Sequence, residues 1–264
     1  MNSLTKNRFK GLTTFDLKVI GIVLMFIDHI HQMFVPMGAP SWIDWFGRPV
    51  ATLFFFVSVV GFSHTRSKEK YMFRLYIGMI LMSYGSFALQ RIVGYEEVQL
   101  MNNIFRDLLV GTMMMYGIDK ISEGYKSKKI GKGLLGLGFI LLPIVSSALL
   151  IMLMSNLTTA IIAANIANFV PALMFTENGL MVLLIPLMYL ARNQRWLQCL
   201  MIVLAAVFFF SQGSTQWIMI FAVIPMLLFN GEKGKGMRNF FYIFYPAHIW
   251  ILYLISAYIF THFY

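Results

Sequence analysis

Met25-Phe26-Ile27-Asp28-His29-Ile30-His31 sets one carboxylate and two imidazoles inside an otherwise apolar run. An ionisable side chain in such a setting costs about 2.5–3.5 kcal/mol on insertion scales, so each needs a partner or a purpose. On a helix Asp28 and His31 are three apart and share a face, while His29 points about 100° away from Asp28. That spacing lets Asp28 orient His31 and leaves His29 to enter a cavity separately. A histidine near neutrality gives or takes a proton, and a nearby carboxylate fixes its tautomer. The plain alternative is a set of polar residues meeting water at the membrane surface.

Three further groups carry chemistry-bearing residues. Gly61-Phe62-Ser63-His64-Thr65-Arg66, followed by Lys68, Lys70 and Arg74, brings cations and hydroxyls together. They suit the phosphates of a nucleotide-like ligand such as coenzyme A, or serve only as a topology signal. Arg106 and Asp107, preceded by Asn102 and Asn103, form a local charge pair or neutralise the first acid, and Arg48 stands in Phe46-Gly47-Arg48-Pro49. Phe244-Tyr245-Pro246-Ala247-His248 places a histidine about one third of the way into the last apolar stretch. Pro246 frees a backbone carbonyl and kinks a helix, opening space for a polar residue, though a hydrogen-bonded structural histidine fits equally. The 20 Met and 25 Phe give no metal or haem pattern, and the five histidines are too scattered for zinc.

The elements that must hold these residues are apolar helices. The chain has 264 residues, 59% hydrophobic and 12% charged, against about 25% charged in soluble domains. Its mean hydropathy of +0.72 excludes soluble and disordered classes. Stretches such as 134–154 and 240–260 stay apolar on every side, unlike the alternating strands of a membrane barrel. The reading is an all-α integral membrane protein, a single transmembrane domain forming a polytopic bundle of about 9–10 helices. Spans are expected near 17–35, 45–62, 71–89, 104–118, 134–154, 179–191, 197–210, 217–229 and 240–260. Segment 157–175, with two threonines, two asparagines and Pro171, is either re-entrant or spanning.

Of 21 Lys and Arg, 18 fall in five clusters beside the spans, which accounts for the net charge of +10 without nucleic acid. If 157–175 does not cross, nine spans place every cluster in the cytoplasm, with the N-terminus inside and the C-terminus outside. The first apolar run lacks a small-residue cleavage site and reads as an uncleaved span. The stretch 119–132 reads as a basic linker, and the lone Cys199 as core filler.

These residues resemble the TraX family, named for an enzyme that N-acetylates conjugative pilin, and more loosely the multi-span membrane acyltransferases. Met25-Phe26-Ile27-Asp28-His29-Ile30 is similar to its first-span Asp-His signature, and Gly47-Arg48 before a Phe-rich run to its second motif. Gly61 to Arg66, then Lys70-Tyr71 and Arg74-Leu75, resembles its Gly-aromatic-x-His-Thr-Arg and Lys-Tyr-x-x-Arg-Leu pattern. Phe241-Tyr242-x-x-Tyr245-Pro246-x-His248 resembles its C-terminal motif, while 133–229 aligns with none.

The resemblance implies acyl transfer from acyl-CoA, most simply acetyl-CoA, to an amine or hydroxyl of a peptide, glycan or lipid acceptor, in a multi-pass plasma-membrane protein among membrane lipid. Under it His29 is general base or acyl-accepting nucleophile, tuned by Asp28 and His31. His64, Arg66, Lys70 and Arg74 hold the donor's phosphates, and Arg48 or His248 polarises the thioester. His248, Tyr245, Asn103, Arg106 and Asp107 meet the acceptor, and no metal is expected. Two other classes use the same sequence: a proton-coupled transporter, which also carries Asp and His in spans, and a non-catalytic pilus or envelope assembly protein.

Overall fold

The computed structural model describes residues 11–236 and 238–264, which form helices, turns and loops apart from one isolated bridge between Leu12 and Phe229. In lipid every backbone polar group needs an internal partner, and helices supply it within each segment. α1 (Thr14–Phe34) opens with a capping box, in which Thr13 and Asp16 each bond the other's backbone N–H. A short 3-10 segment, Ser41–Phe46, leads into α2 (Arg48–His64), with Pro49 in the first turn where no backbone donor is missed. α3 (Lys68–Val93), α4 (Ile104–Ser127) and α5 (Ile130–Met154) follow, then the short α6 (Leu157–Ala167). α7 (Leu184–Leu190), α8 (Arg195–Ser211), α9 (Val223–Leu227) and α10 (Arg238–Phe263) complete the bundle.

Five helices are long and apolar enough to cross a membrane, within Thr14–Met37, Ser41–His64, Lys68–Val93, Ile130–Met154 and Phe240–Phe263. The protein is an all-α, multi-pass membrane protein. α2 is the most enclosed of these five, and its Leu53, Phe55 and Phe56 join Leu75, Met79, Met115, Ile202 and Tyr253 in the core. α5 lies at the edge, leaning on α4 where Gly117 meets Gly136. A Cβ on Gly117 would fall 2.6 Å from the Gly136 carbonyl, so only glycine allows this approach.

Side-chain and backbone ties define two ends. At the basic end Leu12 N–H donates to Leu228 O (2.7 Å) and Asn230 N–H to Leu12 O (2.8 Å), joining the start of α1 to the approach to α10. There too Lys68 pairs with Asp119, which accepts from the Tyr189 hydroxyl, and Arg195 donates to Met226 O. At the opposite end Arg48 meets Gln216, and Asp107 meets residues 177 and 178. Among the described residues four shorter apolar segments accompany the five long ones, among them Gly179–Leu190 and Thr215–Leu227. Both begin as 3-10 helix, whose rise of about 2.0 Å per residue stretches few residues over a longer path.

One sequence expectation changes. The stretch 119–132 is not a linker, because α4 continues to Ser127 and α5 resumes at Ile130, with Glu123 accepting from Lys120 (3.1 Å) and Lys132 (3.3 Å) across the turn. Those pairs let a polar segment stay helical beyond the apolar one. Segment 157–175 is an eleven-residue helix, a loop and the 3-10 turn Leu173–Phe175, with Ala167 and Phe175 both held at the opposite end by Arg106. Of the first basic cluster, Lys6, Arg8 and Lys10 lie outside the described residues.

Candidate functional site

α1 and α10 meet near the end opposite the basic loops, and their histidines touch. His29 Nδ1 lies 2.7 Å from His248 Nε2, and the two rings stack with centroids 4.9 Å apart. His248 Nδ1 lies 2.7 Å from the Phe244 carbonyl one turn earlier in α10. A carbonyl only accepts, so His248 Nδ1 carries a proton, and in the neutral ring Nε2 must then accept. His29 Nδ1 therefore donates, which leaves His29 Nε2 with a bare lone pair. The tautomer of the first histidine is fixed by a backbone atom through the second, the logic of a base oriented by a third group.

His29 is 3% exposed and lines a cavity of about 280 Å³ together with Asp28, Gln32, Asp44, Gly47, Arg48, Asn102, Glu177, Gln216 and Tyr245. Asp28 does not orient His31. Its Oδ2 accepts from Gln32 Nε2 at 2.8 Å, one turn on, while His31 Nδ1 is buried without a partner and His31 is not part of the cavity wall. The longer amide reaches along the helix where the imidazole does not. Gly47 closes on Asp28 so tightly that a Cβ there would overlap the carboxylate. Arg48 forms an ion pair with Asp44, donates from Nη1 to Gln216 Oε1 (3.2 Å), and accepts from Gln216 Nε2 at its own carbonyl (3.2 Å).

Sequence reasoning misses Glu177, together with Gln32, Asp44 and Gln216. Glu177 accepts from Asn102 Nδ2 (3.1 Å), from the Asn103 backbone N–H (2.9 Å) and from the Tyr245 hydroxyl (3.3 Å). Ile104 N–H donates to that hydroxyl at 3.0 Å, which leaves the phenol proton for Glu177. Asn102 also donates to Gln32 Oε1 (3.0 Å), so amides link the Asp28 and Glu177 carboxylates across the cavity. Burial pushes the Glu177 carboxyl above the usual glutamate range. The available signal was an acid in Thr176-Glu177-Asn178, a polar break between apolar stretches.

Arg106 and Asp107 are not ligand-facing and do not pair with each other. Arg106 donates to Phe175 O (2.9 Å), Ala167 O (3.0 Å) and Ser83 Oγ (3.3 Å). Asp107 accepts from the backbone N–H groups of Glu177 (2.8 Å) and Asn178 (3.1 Å) and from Asn178 Nδ2 (2.7 Å). Asn103 also turns inward, donating from Nδ2 to Met79 O (3.0 Å) and Ser83 Oγ (2.9 Å). Neighbours at the head of α4 point different ways, and here they clamp the loop that carries Glu177. Among the described residues no group of three or more His, Cys, Asp or Glu side chains is arranged to hold a metal ion.

A sequence profile for the TraX family, described as TraX protein, matches residues 14–256. The chain belongs to the TraX family. It is also 27% identical, over 91% of its own length and 94% of the relative's, to a probable fimbrial assembly protein FimC, serogroup H1, from Dichelobacter nodosus. No solved structure matches it.

The stretches that resemble TraX motifs divide between the two ends. Asp28, His29, Gly47, Arg48, Tyr245 and His248 converge at the cavity or directly behind it. His64, Arg66, Lys70 and Arg74 do not. α2 places His64 sixteen residues beyond Arg48, about 24 Å along the axis. His64 Nδ1 bonds the Val60 carbonyl (2.8 Å), Arg66 and Lys70 are exposed, and Arg74 sits 6.0 Å from the Tyr71 ring centre.

Proposed function

We propose that this TraX protein is a membrane-bound acyltransferase that moves an acetyl group from acetyl-CoA to an amine. The observation that carries the reading is the His248-anchored His29, whose Nε2 lone pair is left as a base. Attack of an acceptor N–H on the thioester carbonyl forms the amide bond, and the C–S bond breaks. The acceptor's proton passes to His29 Nε2 and then to the departing thiolate. Such proton removal contributes about 10²–10⁴-fold.

Charge in the cavity favours an amine over a hydroxyl. Asp44 spends the charge of Arg48, and the carboxyl groups of Asp28 and Glu177 face the same space. An ammonium group balances them, and it becomes the attacking amine by first losing one proton to water, the second being the one that His29 passes to the thiolate. The exposed His64, Arg66 and Lys70, with Arg74, are the seat for donor phosphates, in the cytoplasm by the positive-inside rule. The donor's arm must then run the length of α2 to meet the acceptor.

The relative's name associates that protein with fimbrial assembly. We carry this over as an acceptor belonging to a pilus or fimbrial subunit, with a non-catalytic assembly role as the second reading. Incubating purified protein with radiolabelled acetyl-CoA and a subunit peptide separates the two. Transfer and slow thioester hydrolysis that vanish in His29→Ala, with donor binding kept, support the enzyme. Loss of binding in Arg66→Ala supports the donor seat. A folded wild type that neither binds nor turns over the thioester, while His29→Ala still supports fimbriation, leaves the assembly role standing.

A further inference from the structure

The segment joining α1 to α2 has an amphipathic design that the cavity accounts for on only one side. Ser41–Phe46 is wound as a 3-10 helix, which brings every third residue onto the same face. Asp44 and Gly47, three apart, line the cavity. Trp42 and Trp45, also three apart, point away from it and are 54% and 52% exposed, with Phe46 at 40%. The Trp42 and Phe46 rings lie 6.3 Å apart, edge to face. Large aromatics this exposed, in a tie between two crossing helices, need a surrounding that suits an apolar ring with a polar edge.

A second strip continues the pattern. Gln216, bonded to Arg48, lines the same cavity, and the next residue, Trp217, packs against Phe210 (5.9 Å) and Phe221 (6.5 Å). Phe210 and Phe221 are themselves exposed. Polar side chains thus face inward and aromatic ones outward in two neighbouring segments at the same end of the bundle.

We infer that Ser41–Phe46 lies in the lipid–water interface of the leaflet at the cavity end, with Trp42, Trp45 and Phe46 seated at the boundary between phospholipid headgroups and acyl chains. The tie joins the ends of two membrane-crossing helices, so the surface it meets is that of the bilayer, and indole rings settle at the headgroup level. Asp44 and Gly47 then hold the cavity wall at that depth. This placement stands independently of the acyltransfer reading.

The test uses the full chain in phosphatidylcholine nanodiscs carrying bromine near the headgroup or near the acyl terminus. Tryptophan fluorescence of wild type is compared with that of the Trp42→Phe/Trp45→Phe double variant, and the difference belongs to those two rings. Both side chains are exposed, so the variant keeps its fold, and each single replacement gives the same reading alone. The difference signal should be quenched about twofold more by the shallow than by the deep bromines. Quenching by aqueous iodide without either bromolipid would put the segment in water, and stronger deep quenching would put it in the hydrocarbon. Protection from all three would mean a second copy or another protein covers it. Any of these three results overturns the placement.

Discussion

On the proposed reading His29 acts as a base, and which of its nitrogens is free is set by the Phe244 carbonyl acting through His248. Replacing His248 by alanine removes the acceptor for the His29 Nδ1–H and frees the tautomer, so kcat should fall about 10²–10⁴-fold with a smaller change in KM. His248→Gln, whose amide oxygen can accept from His29, should recover part of that loss. Glu177 makes a pH prediction. Its carboxyl is raised by burial, and only the ionised form holds an ammonium. Activity should therefore be lost as pH falls through a value above the ordinary glutamate range, and Glu177→Gln should remove that acidic limb while lowering affinity for the acceptor. A limb unchanged in Glu177→Gln would assign it elsewhere. Asp28, His29, Tyr245 and His248 were legible in the sequence because an apolar setting makes a polar side chain conspicuous. The 219-residue separation of the histidine pair puts their contact beyond any spacing rule, and Glu177 sits in a polar turn where a carboxylate attracts no notice.

The elements matter through what they clamp. Arg106 and Asp107, adjacent at the head of α4, hold opposite parts of the loop between α6 and the 3-10 start at Gly179, and that loop delivers Glu177. Arg106→Leu strands two backbone carbonyls and should cost about 2–3 kcal/mol, read as a lowered melting temperature in detergent with acceptor KM raised. Gly47→Ala acts more locally. Its Cβ would displace the Asp28 carboxylate, so kcat/KM should fall about tenfold while the melting temperature changes little. The periodicity that marks apolar spans finds α1, α3, α5 and α10 readily, since each supplies a full span of apolar residues. It does not show that Gly179–Leu183 and Thr215–Ala222 are 3-10 helix, because the choice between windings is made by tertiary packing on α2 and α4 rather than by residue type.

At the scale of the whole molecule the two ends differ in chemistry, and that difference predicts a direction for the reaction. Lys68, Lys120, Lys126, Lys128, Lys129, Lys132, Arg192, Arg195, Lys233 and Lys235 gather at one end, where the start of α1 and the approach to α10 are bonded together. The cavity, with three carboxylates and one guanidinium among its lining side chains, lies toward the other. On the proposed reading, an anionic donor is drawn to the first and a cationic acceptor to the second, so the two substrates should approach from opposite faces. Cysteine labelling tests the geometry without needing activity, since the native Cys199 is buried. Ser127→Cys should react with an impermeant maleimide only when the face carrying the basic loops is open, and Ser41→Cys only from the other face. With that orientation set in sealed proteoliposomes, acetyl-CoA should support transfer when supplied on the Ser127 side, and acceptor peptide when supplied on the Ser41 side. Labelling of both positions from one face would overturn the two-ended arrangement, and transfer with both substrates on the Ser127 side would move the acceptor entrance away from the cavity.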